Sequence, residues 1–291
     1  MLRQIGFEIF KMSRRPRTYL GTAAFALICI AVMLGMKYGD VGSMVTSQAA
    51  GQGFGVVGSP ANAEYMAWMV VASPFVAMPI LTMFMPFFVA LVFGEIFAGE
   101  STDGTLRALL SRPVTRGSVF AAKLAACFVY VLGLVFSLGV LAYIIGLIFF
   151  GHGGLMAVTF ADRTTYTSPM LAWFTEGDGL NRLALGYLLT TVAMSVVGMI
   201  AFFIGVWLNN ALGAIGGSIM LLFTMFVIGE IPYFKPIREY LFSSHLVVGQ
   251  RAFVDPIPWK DIGSSLVCLG IYLAVLVMAS GLVFRRKDIL T

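Results

Sequence analysis

The sequence predicts an all-α integral membrane protein. It has six transmembrane helices, a short amphipathic helix ahead of them, and one more short helix in a charged segment between spans two and three. Three observations predict this. Of 291 residues, 59% are hydrophobic and 11% charged, and the mean hydropathy is +0.92; soluble domains carry about 25% charged residues. Several apolar runs reach the roughly 20 residues a helix needs to cross a bilayer. The charges collect at the ends of those runs and in one turn-rich interruption, residues 94–123. The alternating pattern of a membrane barrel is absent, and backbone in hydrocarbon must satisfy its own hydrogen bonds, so helices are the default. The chain reads as one transmembrane domain over residues 1–291.

The spans fall at residues 19–36, 65–93, 119–150, 183–208, 212–231 and 263–284. The second and third exceed the length a bilayer requires, so they tilt, kink or project from it. Orientation follows the basic residues. Of 19 Lys and Arg, 12 lie on one side: Arg3, Lys11, Arg14, Arg15 and Arg17; Arg107, Arg112, Arg116 and Lys123; and Arg285, Arg286 and Lys287. Both termini are therefore expected in the cytoplasm of a multi-pass protein of the cell membrane. The net charge of +5 comes from these flanks, not from a basic patch interleaved with aromatics, which excludes nucleic acid as a partner.

Residues 1–17 read as an elbow. Leu2, Ile5, Ile9 and Met12 fall near one face at helical spacing, Glu8, Lys11 and the following arginines suit a wet face, and Pro16 breaks the helix. Such a helix lies in the membrane plane, either as a topology anchor alone or also touching a cytoplasmic partner. Residues 13–20, SRRPRTYL, look like a twin-arginine export signal, but Ala61 and Ala63 lie too far downstream to form its cleavage site, so the segment is expected to be retained.

Span two carries Pro74, Pro79 and Pro86, which kink it either as a flexible wall or as fixed packing bends. Its Met78, Met83, Phe84, Met85, Phe87 and Phe88 suit an apolar path, lipid contact or helix packing alike. No charge is expected deep within a span, since Lys37, Glu95 and Glu230 sit at edges; this argues against an ion channel or an ion-coupled carrier. Ser195, Asn209 and Asn210 read as helix–helix contacts. Outside lie an irregular loop over 39–64, a segment over 151–181, and a third over 232–262. In the third, Ile237, Tyr240, Leu241 and Leu246 to Val248 suggest an interfacial helix, with Trp259 at the lipid boundary.

Cys29, Cys127 and Cys268 each lie in an apolar run without CxxC spacing and read as small buried hydrophobes. His152 and His245 are the only histidines, and no HExxH or GxSxG motif occurs, so neither a metal site nor a catalytic centre is expected. No GxxxxGK[ST] phosphate loop occurs either, so any ATP hydrolysis must come from another chain.

The segment between spans two and three carries the most information. Asp103 caps a short helix, Leu106, Leu109 and Leu110 share its face, Arg112 suits its C-terminus and Pro113 ends it. Leucines in such a place either pack on the chain's own helix ends or wait for a partner. Glu100, then Gly104-Thr105-Leu106, Leu109-Leu110, Arg112-Pro113, Arg116 and Lys123, resembles the signature of ABC-2 type exporter permeases. The ending Phe284-Arg285-Arg286-Lys287-Asp288-Ile289, the six spans and the elbow resemble that family too.

The resemblance implies that residues 100–117 hold a coupling helix seated in a groove of a separate cytoplasmic ATPase. Its contacts would be Glu100, Asp103, Gly104, Thr105, Arg107, Leu109, Leu110, Arg112 and Arg116. It implies two permease copies, or this chain and a related permease, working with two ATPases. ATP and Mg would sit on the partner and no cofactor in this chain, which would be a transport subunit and not an enzyme. The segment before the last span would close the outer side of the path. The other reading is a membrane anchor or regulatory subunit that tethers a cytoplasmic partner without moving cargo. An integral-membrane enzyme would need polar groups clustered at one depth, which the sequence lacks.

Overall fold

A computed structural model describes residues 2–38, 84–102, 115–150, 155–160, 169–234 and 236–286. The expected outer loop over 39–64 and most of the expected second span, with Pro74 and Pro79, lie outside the described residues. The long helices are α1 (Leu2–Ser13), α2 (Arg17–Tyr38), α3 (Met85–Thr102), α4 (Arg116–Phe150), α5 (Glu176–Leu208) and α6 (Ala211–Glu230). After a short α7 (Phe242–His245), α8 (Trp259–Arg286) closes the described chain. Five stretches are long and apolar enough to cross a membrane: Met85–Thr102, Arg116–Ile145, Gly177–Leu208, Ala211–Gly229 and Trp259–Arg286. The apolar stretch of α2, Arg17–Ala31, is shorter. This is a largely helical, multi-pass membrane architecture.

One element departs from an all-α fold. β1 (Leu155–Phe160) and β2 (Pro169–Phe174) form an antiparallel hairpin with Leu155 opposite Phe174 and Phe160 opposite Pro169. Val158, Thr159, Phe160, Trp173 and Phe174 are β-branched or aromatic and favour a pleated ribbon over an irregular loop.

α5 is the central helix. Its membrane stretch is 78% buried, against 11% for that of α8, because α3, α4, α6 and α8 surround it. It starts seven residues before the apolar run does, because Thr175 caps it by accepting from the Asp178 N–H. Small residues bring the helices close. A Cβ on Gly198 would lie 2.7 Å from the Phe93 ring, and one on Gly205 would lie 3.1 Å from the Gly94 carbonyl oxygen. The turn from α5 to α6 uses both of its asparagines. Asn209 is left-handed at φ 55°, and the Asn210 side chain accepts from the Leu212 and Gly213 N–H groups. Pro86 falls in the first described turn of α3.

The segment between α6 and α8 is not one interfacial helix. It is broken into 3₁₀ turns at Pro232–Phe234, Arg238–Tyr240 and Val248–Phe253, together with α7. Ile237 and Tyr240 are exposed, whereas Leu241, Phe242, Leu246, Val248, Ala252 and Phe253 plug into the protein. At Gly249 the segment packs backbone against α5: a Cβ there would run into Thr190 Oγ1 and fall 2.5 Å from the Gly186 oxygen, so only a glycine fits.

Candidate functional site

Four charged side chains meet inside the protein where α1, the end of α3 and the start of α4 converge. α1 turns Glu8 and Met12 inward. At its end, Thr18 donates to the Met12 carbonyl at 2.7 Å, which fixes the corner at Pro16. α4 begins at Arg116 behind Thr115, whose carbonyl accepts from the Ser118 hydroxyl at 2.8 Å. Two turns on, Lys123 is fully buried, with 0% exposure. Its ammonium donates to Glu100 Oε2 at 2.6 Å, to Glu8 Oε1 at 3.3 Å and to the Ile96 carbonyl at 3.3 Å. Three donors thus find three acceptors, the condition for tolerating an ammonium in an apolar place. Lys11 binds the other oxygen of Glu100, which is 2% exposed. Glu8, Lys11, Glu100 and Lys123 together carry no net charge.

A second pairing lies beside the first. Glu95 accepts from Arg17 at 2.5 Å and stands 4.0 Å from Arg15. The end of α3 is also held from another direction, because the Thr102 hydroxyl donates to the Ala98 carbonyl at 2.7 Å and to the Asn209 carbonyl at 3.3 Å. The end of α8 joins through aromatic rings, with Phe284 5.1 Å from Phe97 and 5.9 Å from Phe120, centroid to centroid. One end of the bundle therefore gathers α1, the α3 end, the α4 start, the α5–α6 turn and the α8 end.

The opposite end holds a different polar set. Arg182 donates to the Ala252 and Val254 carbonyls at 3.2 and 2.8 Å, pairs with Asp255 at 2.8 Å, and sits 4.0 Å from the Phe174 ring. Arg251 donates to the Asp261 carbonyl at 2.6 Å and to Ser265 at 2.9 Å, and His245 touches the same Ser265 hydroxyl at 3.0 Å. Burial pulls the Arg251 guanidinium below its ordinary value, and Asp261 pulls it part of the way back. These contacts lock the broken segment onto α5 and α8.

Of the residues expected to contact a partner, Asp103, Gly104, Thr105, Arg107, Leu109, Leu110 and Arg112 lie outside the described residues. Arg116 opens α4, half-exposed. Glu100 points inward, and both of its oxygens engage lysines of this chain. Lys123 lies two turns into an apolar helix, near its charged end, and is tolerated there because two carboxylates reach it. Glu8 and Lys11 were expected on a wet face. The signal against that lies in Phe7 and Phe10, which form a second apolar stripe opposite Ile5 and Met12, so apolar spacing alone leaves the buried face of α1 undecided. Among the described residues no cluster of His, Cys, Asp and Glu is arranged to hold a metal.

The family described as "Protein of unknown function (DUF2705)" matches residues 25–290. The chain belongs to the DUF2705 family. It is also similar to "Uncharacterized protein YhcI" of Bacillus subtilis (strain 168), at 27% identity over 238 residues, covering 79% of this chain and 71% of that protein. The DUF2705 match takes in Glu95, Glu100 and Lys123, while Glu8 and Lys11 of the ionic cluster precede it.

Proposed function

We propose that this DUF2705 protein is the transmembrane permease subunit of an ABC-2 type exporter, driven by a separate cytoplasmic ATPase. The observation that carries the proposal is the ionic cluster at the base of the charged segment. Residues 103–114 join Thr102 to Thr115, and the helices on either side are tied to α1 and to each other through Glu100 and Lys123. A segment with rigid, cross-linked roots can pass displacement into a bundle; one rooted in fraying helix ends would dissipate it. In this reading α2 is a sixth span, since its 22 residues extend about 33 Å at about 1.5 Å per residue. The end of the bundle that gathers the basic flanks faces the cytoplasm.

Leu109 and Leu110 supply the apolar contact to the ATPase, with Asp103, Gly104, Thr105, Arg107, Arg112 and Arg116 around them. Glu100 acts through Lys11 and Lys123, as a positioning residue for the segment. Nucleotide binding on the ATPases draws them together and shifts the permease pair between two packings. The test is purification of the tagged chain from native membranes. The proposal expects an ATP-binding cassette subunit to co-purify, no hydrolysis by the chain alone, and loss of the complex on substituting Leu109 and Leu110 by Ser. Recovery of no such subunit, or robust hydrolysis without one, overturns it.

A further inference from the structure

We propose that the outward face of α1 binds anionic phospholipid headgroups, with Phe7 and Phe10 seated in the acyl boundary and Arg3 and Arg14 gripping phosphates. Residues 3, 7, 10 and 14 follow at steps of four, three and four, which at about 3.6 residues per turn keeps them within about 60° of arc. The Arg14 N–H bonds the Phe10 carbonyl at 3.2 Å, so helical geometry carries through to Arg14. Phe7 is 59% and Phe10 56% exposed, and Arg3 and Arg14 are exposed with them. The Arg14 guanidinium lies 5.2 Å from the Phe10 ring centroid, so cation and ring form one surface. Gly6 and Ser13 flank the stripe, while Glu8, the one acid of α1, is turned to the opposite side and bound to Lys123.

The occupant follows from size, charge and place. With a little over half of each ring exposed, the two phenyl side chains offer roughly 170–290 Å², short of the roughly 800 Å² per partner of a stable protein interface. Apolar rings between two guanidinium forks suit a leaflet surface, where rings enter the acyl boundary and forks pair with phosphate oxygens. α1 is joined to α2 through residues 14–16 and docked on α4, which holds it at the end of the bundle. The inference rests on the membrane architecture and not on the transporter reading.

The test uses the full chain with a fluorophore on Phe7→Cys and Cys268 replaced by Ala; Cys29 and Cys127 are buried. The chain is placed in mixed phosphatidylglycerol and phosphatidylcholine vesicles in which one component or the other carries brominated acyl chains. The expected result is stronger quenching by the brominated anionic lipid at equal mole fraction, with the enrichment falling about fivefold for each of Arg3→Gln and Arg14→Gln. In the labelled chain with both arginines intact it should fall as salt is raised, a readout that stands even if either arginine variant folds poorly. The proposal is overturned by a water-exposed label in both lipids, equal quenching by the two lipids, or an enrichment indifferent to salt. It is equally overturned if the label is shielded only as chain density rises, which marks a second copy, or only with a co-purified subunit, which marks a protein partner.

Discussion

Replacing Lys123 by Met tests whether the ionic cluster holds the bundle's charged end together. Methionine is unbranched and nearly as long as lysine, and removes its three donors. At an effective dielectric constant of about 20, the gross attraction is about 6 kcal/mol to Glu100 at 2.6 Å and about 5 kcal/mol to Glu8 at 3.3 Å. Desolvation of several kcal/mol per ion offsets most of this, so the intact cluster contributes little net stability. Removing one member is another matter. Glu8 then loses its ammonium and Glu100 keeps Lys11, leaving a buried carboxylate uncompensated at a cost of about 3–5 kcal/mol.

The assay is retention of a monodisperse gel-filtration peak after heating in detergent. Lys123→Met should lower the midpoint by about 10 °C. Combining it with Glu8→Gln and Glu100→Gln should recover much of the loss, because it removes the orphaned charges along with their partner. A Lys123→Met chain as heat-resistant as the parent would refute the reasoning. So would a triple variant whose loss equals the sum of the single losses, since independent sites add and a shared cluster does not.

Two further contrasts test the packing. Gly249→Ala should cost at least about 3 kcal/mol and sharply reduce folded yield, because its Cβ meets backbone at 2.5 Å, whereas Gly270→Ala on α8, with nothing within 4 Å, should be neutral or gain about 0.5–1 kcal/mol. Arg182→Gln should raise hydrogen exchange over 248–254 by about 1–3 kcal/mol of lost protection, since two part-buried carbonyls lose a charged donor. Asp255→Asn should shift the same amides by no more than about 1 kcal/mol, because Asp255 is 63% exposed and its pair with Arg182 lies in water.

How much of this was legible in the sequence varies with the range of the interaction. α4, α6 and α8 follow their apolar runs closely, because twenty apolar residues in a row leave few other solutions. The α5–α6 turn was legible as a short break between two apolar runs, but Asn209 and Asn210, expected as helix–helix contacts, serve instead as its left-handed corner and its cap. The seven extra residues of α5 lie outside the apolar run, because Glu176 to Arg182 is mostly polar with two glycines, and only the Thr175 cap marks the helix start. The ionic cluster was not legible, because its partners stand 115, 89 and 23 positions apart and local pattern cannot pair them. What the sequence did offer was the oddity of Lys123 itself, an ammonium among Ala121, Ala122, Leu124 and Ala125 that needs an acid from another element.

An ion cluster is an odd choice of glue, since apolar packing of the same volume is often as stable. What the charges add is register. α1 could slide along α4 by one turn, about 5.4 Å, and still bury an apolar face, because Ile5, Ile9 and Met12 recur at helical spacing. Such a slip would bring Gln4 or Met12 to the place of Glu8, leave Lys123 short of an acceptor, and cost about 3–5 kcal/mol that purely apolar contacts would not exact. The same argument applies to α3, where a one-turn shift carries Glu100 away from Lys123 and also breaks the fit of Gly94 against Gly205 and Ala214, a Cβ on Gly94 already lying 3.2 Å from Ala214. Both roots of residues 103–114 are therefore fixed in position along the bundle axis and not merely pressed together. If an ATPase pushes on that segment, α1, α3 and α4 respond as one body, and the yielding contacts must lie elsewhere in the bundle.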